Sequence, residues 1–190
     1  MNRIKSLFAH YLANRAASCP IDYNDAVVES LVIRTHDDWS RFCRSIIIHS
    51  AASHVITVGG IKIPRAPNIK KTSEVIPLLL ATYKNRRVEP KWYNAVDCID
   101  AAQRLRVFNL GTISPALSSV NSPEMNLRCI RNFFAHRNEA TAAKVKGSSW
   151  FRPSMHVTPY DFASVRITGG KTLFESWLDD FVLVAEAMIQ

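Results

Sequence analysis

Residues 127–139 read LRCIRNFFAHRNE. With Arg128 set at zero and 100° added per residue, Arg131, Asn132, Ala135, His136 and Glu139 fall with it inside an arc of about 140°. Leu127, Ile130, Phe133 and Phe134 take the opposite side. A helix here buries its aromatics and presents two arginines, an amide, an imidazole and a carboxylate on one face. Asn132 and His136 stand at i,i+4 and Arg128 and Arg131 at i,i+3, close enough to touch. Arg137 breaks the pattern and lands among the apolar positions, so either the helix frays or kinks near 135–137 or the arginine stem snorkels. Upstream, Ser122 as N-cap, Pro123 as first helical residue and Glu124 in the first turn are mutually consistent start signals. Together they predict a helix over about 123–143.

Outward from this segment the hydrophobic periodicity is again mostly helical. Ile4, Leu7, Phe8, Tyr11 and Leu12 predict a helix over about 2–18, stopped by Pro20. A second run covers about 24–52, where Val27, Val28, Leu31 and Val32 give way to Trp39, Phe42, Ile46 and Ile47. Thr35 or Asp37, both good N-cap types, can divide it in two. Around Gly59 and Gly60 lie Val55, Ile56, Val58, Ile61 and Ile63, which read as a small hairpin or an extended loop closed by Pro64 and Pro67. Helices follow at about 72–84, begun by Thr72 or Ser73, and at 90–107, with Trp92, Val96, Ile99 and Ala102 on one face. Residues 109–123 read as turns and 147–170 as irregular. The last helix carries Phe174, Trp177, Leu178, Phe181, Val182, Ala185, Met188 and Ile189 on one side. The expectation is one all-α domain over 1–190, a helical bundle with a hairpin or loop insertion near 54–67.

The 190 residues are 47% apolar and 21% charged, which excludes a disordered tail and a collagen-like repeat. Lys and Arg total 24 against 16 Asp and Glu, a net charge of +8 that favours a polyanionic partner. Cys19, Cys43, Cys98 and Cys129 are scattered singly, which points to a reducing, cytoplasmic setting. The basic, acid-free first 21 residues superficially suggest a targeting peptide, but their helical spacing and lack of a continuous apolar run favour a folded first helix. No apolar stretch approaches the ~20 residues of a spanning helix, so no membrane association is expected.

The segment 131–136, RNFFAH, fits the R-x4-H signature of the HEPN superfamily, with a polar residue after the arginine. The motif lies in a late helix of an all-helical chain, and Trp39-Ser40-Arg41-Phe42 resembles the second-helix region of the RNase-like members. The resemblance covers about 37–144. It implies a metal-independent endoribonuclease, without cofactor, that cuts single-stranded RNA. In such a site His136 serves as acid or base, Arg131 holds the charge on the phosphate oxygens, and Asn132 orients His136 or a phosphate. Arg128, Arg137 and Asn138 are the candidate RNA-binding residues. One chain presents one imidazole on this face, whereas the reaction wants both an acid and a base. A symmetric homodimer supplies the second, as the family generally does. Members of this size often act as toxins of toxin–antitoxin pairs or in antiphage defence, with a neutralising partner protein. The alternative is a catalytically silent HEPN module that binds RNA or nucleotide, or assembles a partner.

Other features carry less. Gly169-Gly170-Lys171-Thr172 resembles the end of a P-loop, but position 165 is Val165 where the full pattern needs glycine, and a loop capping the last helix accounts for it. His49 and His54 have no third ligand at metal spacing, and His10, His36 and His156 read as isolated. The basic tract Lys62, Arg65, Lys70, Lys71, Lys84, Arg86, Arg87 and Lys91, interleaved with Tyr83, Trp92 and Tyr93, reads equally as an RNA-guiding surface or as solvated loops.

Overall fold

The computed structural model describes residues 2–14, 21–83, 88–119, 123–151, 158, 161–162, 165–166 and 170–190. The elements run α1 (Asn2–Asn14), α2 (Ile21–Ala52), β1 (Val55–Ile56), β2 (Lys62–Ile63), α3 (Thr72–Thr82), α4 (Ala95–Arg104), α5 (Leu110–Leu117), α6 (Glu124–His136), α7 (Glu139–Lys146) and α8 (Leu173–Met188). The fold class is all-α, with a two-stranded antiparallel hairpin as its insertion. No described helix is long and apolar enough to cross a membrane. Two compact units emerge, one from Met1–Asp38 and Pro123–Val182, the other from Trp39–Ser122 and Leu183–Gln190.

The first unit is built on aromatic packing. Ile4, Phe8 and Tyr11 recur at steps of four and three on α1 and are buried, as are Val28, Leu31 and Val32 on α2. Phe174, Trp177, Leu178 and Phe181 form the buried stripe of α8. Phe174 meets the Phe8 ring edge-on at 4.8 Å and the Phe162 ring at 5.5 Å, and Trp177 lies 5.2 Å from Phe162 and 5.6 Å from Trp150. Rings at these separations gain quadrupolar attraction beyond the area they bury. Phe162 and Trp150 come from the stretch expected to be irregular, and they complete the core. The start of α8 is fixed by Thr172, whose Oγ1 accepts from Glu175 N at 3.3 Å while Glu175 Oε2 accepts from Thr172 N at 2.7 Å, a reciprocal cap. Gly170 precedes it at φ 81°, and Lys171 pairs with Asp179 at 2.7 Å. The Gly-Lys-Thr sequence thus does the work of a helix cap. Asp179 also takes Lys5 at 2.5 Å, and the two ammonium partners, Lys171 foremost, hold its carboxyl below the ordinary range.

The second unit packs small residues closely. On α4 the buried stripe is Cys98, Ala101 and Ala102, continued by Leu105, while Val96 is exposed. The expected face through Trp92 and Val96 is therefore corrected. The helix begins later, at Asn94, whose Oδ1 accepts from Val96 N and Asp97 N at 2.9 and 3.3 Å, and Trp92 is buried ahead of it. Its indole N–H donates to Glu89 at 2.8 Å, and Glu89 receives Arg44 through both oxygens at 2.7 and 3.0 Å. Arg44 is the chief reason that the Glu89 carboxyl stays ionised to lower pH than usual. Buried Asn109 donates to Ser50 Oγ at 3.0 Å.

Two other expectations change, and one alternative is decided. The second run is one uninterrupted 32-residue helix. Thr35 caps nothing, because its hydroxyl donates back to Leu31 O at 2.7 Å within the helix and the side chain is buried. The stretch expected as turns holds α5, which forms around Pro115 because Ile113, Ala116 and Leu117 bury one side. The insertion is a hairpin, pairing Val55 with Ile63 and Ile56 with Lys62. Thr57 N donates to Ile61 O and Gly60 N to Thr57 O, both at 2.9 Å, and Gly60 sits at φ 78°. That is a three-residue loop whose last position is left-handed, where glycine costs nothing. The expected stop at Pro20, the cap Ser122 and the basic Lys84, Arg86 and Arg87 lie outside the described residues.

Candidate functional site

Helix α6 positions the site by burying one stripe. Leu127, Ile130 and Phe134, at steps of three and four, are 0%, 1% and 3% exposed. Glu124 in the first turn complements the positive helix start. The polar side is graded along the axis: Arg128, Arg131 and Asn132 are half-buried, whereas Ala135 and His136 are exposed. The opposition of faces follows the helical projection at Leu127, Ile130 and Phe134, whereas Phe133, expected with them, is only half-buried.

The end of α6 does not follow it. His136 is the last helical residue and Arg137 turns left-handed at φ 43°, its N–H donating to Phe133 O at 2.7 Å. Asn138 then caps α7, its Oδ1 accepting from Thr141 N at 2.9 Å while Thr141 Oγ1 accepts from Asn138 N at 3.3 Å. The single helix expected to 143 is thus two, separated by 137–138. Of the two readings left open for Arg137, the helix ends; the side chain swings to an ion pair with Glu29 of α2. Glu139 belongs to α7, so the projection that grouped it with His136 does not apply. Asn138, a candidate RNA contact, has a structural task as a cap.

Arg131 and Asn132 are brought together: Arg131 Nη1 donates to Asn132 Oδ1 over a long 3.5 Å. No hydrogen bond joins Asn132 to His136 among the described residues, so the amide orients the guanidinium and not the imidazole. Arg131 Nε is buried and, among the described residues, has no hydrogen-bond partner. Burying a donor in this way costs about 1–3 kcal/mol, so the anion-facing part of this guanidinium is its Nη end.

The residue that sequence reasoning missed is His36, 95 positions earlier. It is buried, 7% exposed, on α2, with Nδ1 3.5 Å from Asp37 Oδ1. Burial holds its pKa below 6.5 against the raising pull of Asp37, and the positive charges of Arg131 and Arg128 push the same way as burial. His36 is therefore an electrostatic neighbour of the α6 arginines. The available signal was its own helix: position 36 continues the buried stripe 28, 32 at steps of four, where an imidazole is out of place.

A pH dependence follows. Unfolded, His36 protonates near its ordinary value of 6.5, while folded it resists protonation. In the window below 6.5 the unfolded chain binds more protons, so stability falls as pH drops through it and is fully present above it. Urea midpoints at about pH 7.5 and about pH 5.5 should fall further for the wild type than for His36→Gln. Equal decreases in the two proteins would refute the assignment.

Compared with protein-family models, with curated proteins and with solved structures, the chain matches none.

Proposed function

We propose that the chain is a metal-independent endoribonuclease of HEPN type that cleaves single-stranded RNA. The observation that carries this reading is the end of α6, where an exposed His136 follows, five residues on, a half-buried Arg131 whose guanidinium donates to Asn132. In the proposed reaction a ribose 2′-oxygen attacks the adjacent phosphorus and the P–O5′ bond breaks, leaving a 2′,3′-cyclic phosphate and a free 5′-hydroxyl. An imidazole takes the proton of the 2′-hydroxyl, and an imidazolium gives one to the departing 5′-oxygen. Arg131 supplies a planar, permanently charged fork to the non-bridging oxygens, aligned by Asn132. Arg128 holds a flanking phosphate. Arg137, engaged by Glu29, and Asn138, engaged as a cap, contribute less than their spacing alone implies.

The reaction needs two imidazoles within reach of one phosphodiester. His36 is buried and is not the second. The reading therefore keeps a symmetric homodimer in which two copies of His136 face one substrate. Toxin or antiphage-defence action on cytoplasmic RNA, with an antitoxin-like partner protein, is the biological setting the motif resemblance suggests.

The test uses purified protein in EDTA with a single-stranded RNA, and with the same strand carrying 2′-deoxyribose at the scissile position. Cleavage of the first to a 2′,3′-cyclic phosphate, sparing of the second, and a solution mass of two chains are the expected results. Retention of RNA without products would favour the silent binding module, and a stable monomer that still cleaves would overturn the composite site.

A further inference from the structure

The break at 137–138 leaves a cleft of about 200 Å³ lined by Met125, Arg128, Cys129 and Asn132 of α6 and by Thr141 and Lys144 of α7. The α6 residues follow at steps of three, one and three, a single stripe along the helix. Thr141 and Lys144 stand three apart on α7, one above the other. The floor is thus two helix faces meeting at the left-handed corner.

The chemistry of the lining is one-sided. Arg128 and Lys144 bring two positive charges from different helices, and among the described residues no carboxylate lines the cleft. Met125, 70% exposed, and the half-buried Cys129 form an apolar wall beside them. Thr141 is committed to the Asn138 cap, so it is wall and not ligand. A guanidinium and an ammonium lining one cavity make it attractive to an anion, and a soft thioether beside them suits a flat ring. A bare phosphate would satisfy the cations and leave the apolar wall wet. A phosphate with a base attached satisfies both.

We infer that this cleft binds one nucleotide of single-stranded RNA, its phosphate between Arg128 and Lys144 and its base against Met125 and Cys129. The choice of RNA rests on the ribonuclease reading above; the cation-and-thioether arrangement does not. Lys144, which carries no motif, becomes a substrate-binding residue. Because Asn132 lines the cleft and also holds Arg131, the bound nucleotide lies immediately beside the one being cut.

Cys129 is a built-in reporter. Cys43 and Cys98 are buried and serve as controls for folding. The full chain is treated with iodoacetamide, with and without an uncleavable 2′-O-methyl RNA oligonucleotide, and labelling at Cys129 is followed by peptide mass. The expected result is slowed alkylation of Cys129 with the oligonucleotide but not with millimolar inorganic phosphate, and loss of that protection in Lys144→Gln. The salt dependence of oligonucleotide binding should also fall by about 0.7 in log–log slope when that one phosphate contact is removed. Unchanged labelling at saturating oligonucleotide, or full protection in Lys144→Gln, overturns the inference. Equal protection by phosphate alone overturns the nucleotide in favour of a simple anion site. Protection without any RNA cleavage upholds the cleft and fails the ribonuclease reading; His136-dependent cleavage without protection does the reverse.

Discussion

His136→Ala is expected to lower the rate of RNA cleavage at least ~100-fold, the low end for losing a positioned acid–base group. The substitution is a clean probe because the imidazole is exposed at the last turn of α6 and is not part of the buried core. Its removal should leave the unfolding free energy from urea titration within about 0.5 kcal/mol of the wild type, as for other surface changes. A large loss of rate with unchanged stability is then a chemical loss. Arg131→Lys is the informative companion: it keeps the charge but loses the planar fork, so it should also cleave poorly. Single-turnover cleavage of a fluorescent RNA in EDTA reads both. Undiminished cleavage in His136→Ala would remove the basis for the proposed function.

The largest expected effect on stability is Phe174→Ala. The side chain is fully buried and its ring is held edge-on by Phe8 at 4.8 Å and tilted against Phe162 at 5.5 Å. Truncation removes the transfer energy of a whole ring and leaves a cavity whose aromatic walls collapse only partly, a cost of about 3–5 kcal/mol. Against a typical total of about 5–15 kcal/mol, that loss brings the chain close to unfolding at moderate temperature. The urea midpoint should fall sharply with the slope unchanged. Leu183→Ala, a large-to-small change at a position 66% exposed, should lower the unfolding free energy by no more than about 0.5 kcal/mol. Comparable losses in the two variants would mean that the aromatic cluster does not dominate.

Long apolar stripes made most helices readable in advance. The stripe of α8, the aromatic back of α6 and the hairpin around Gly59 and Gly60 all belong to patterns whose period is set by backbone geometry alone. What escaped was local competition. Thr35 looks like a cap, yet a buried threonine inside a long helix satisfies its hydroxyl on the preceding turn. Pro115 and the serines around it look like a turn, yet three buried residues in eight outweigh them. Val96 looks like core, but the stripe that packs is the one made of alanines and a cysteine, whose small side chains carry little hydrophobic signal. The candidate site was half legible for the same reason. Arg131, Asn132 and His136 share a helix, so spacing placed them; His36 reaches the arginines only through the tertiary fold. Arg137 was the flagged anomaly, and its anomaly was the helix end itself.

Arginine at that corner has a consequence for aim. A left-handed residue with a side chain carries about 1–2 kcal/mol of strain that glycine would avoid. Glycine, however, would let the peptide swivel. The ion pair of the guanidinium with Glu29 on one side and the Asn138 cap on the other both favour this one bend. The imidazole just before it therefore leaves the helix where the backbone direction is biased, beside the cleft between α6 and α7. Under the proposed reading, a strand that docks there would meet a bend already favoured and would lose less freedom on closing it.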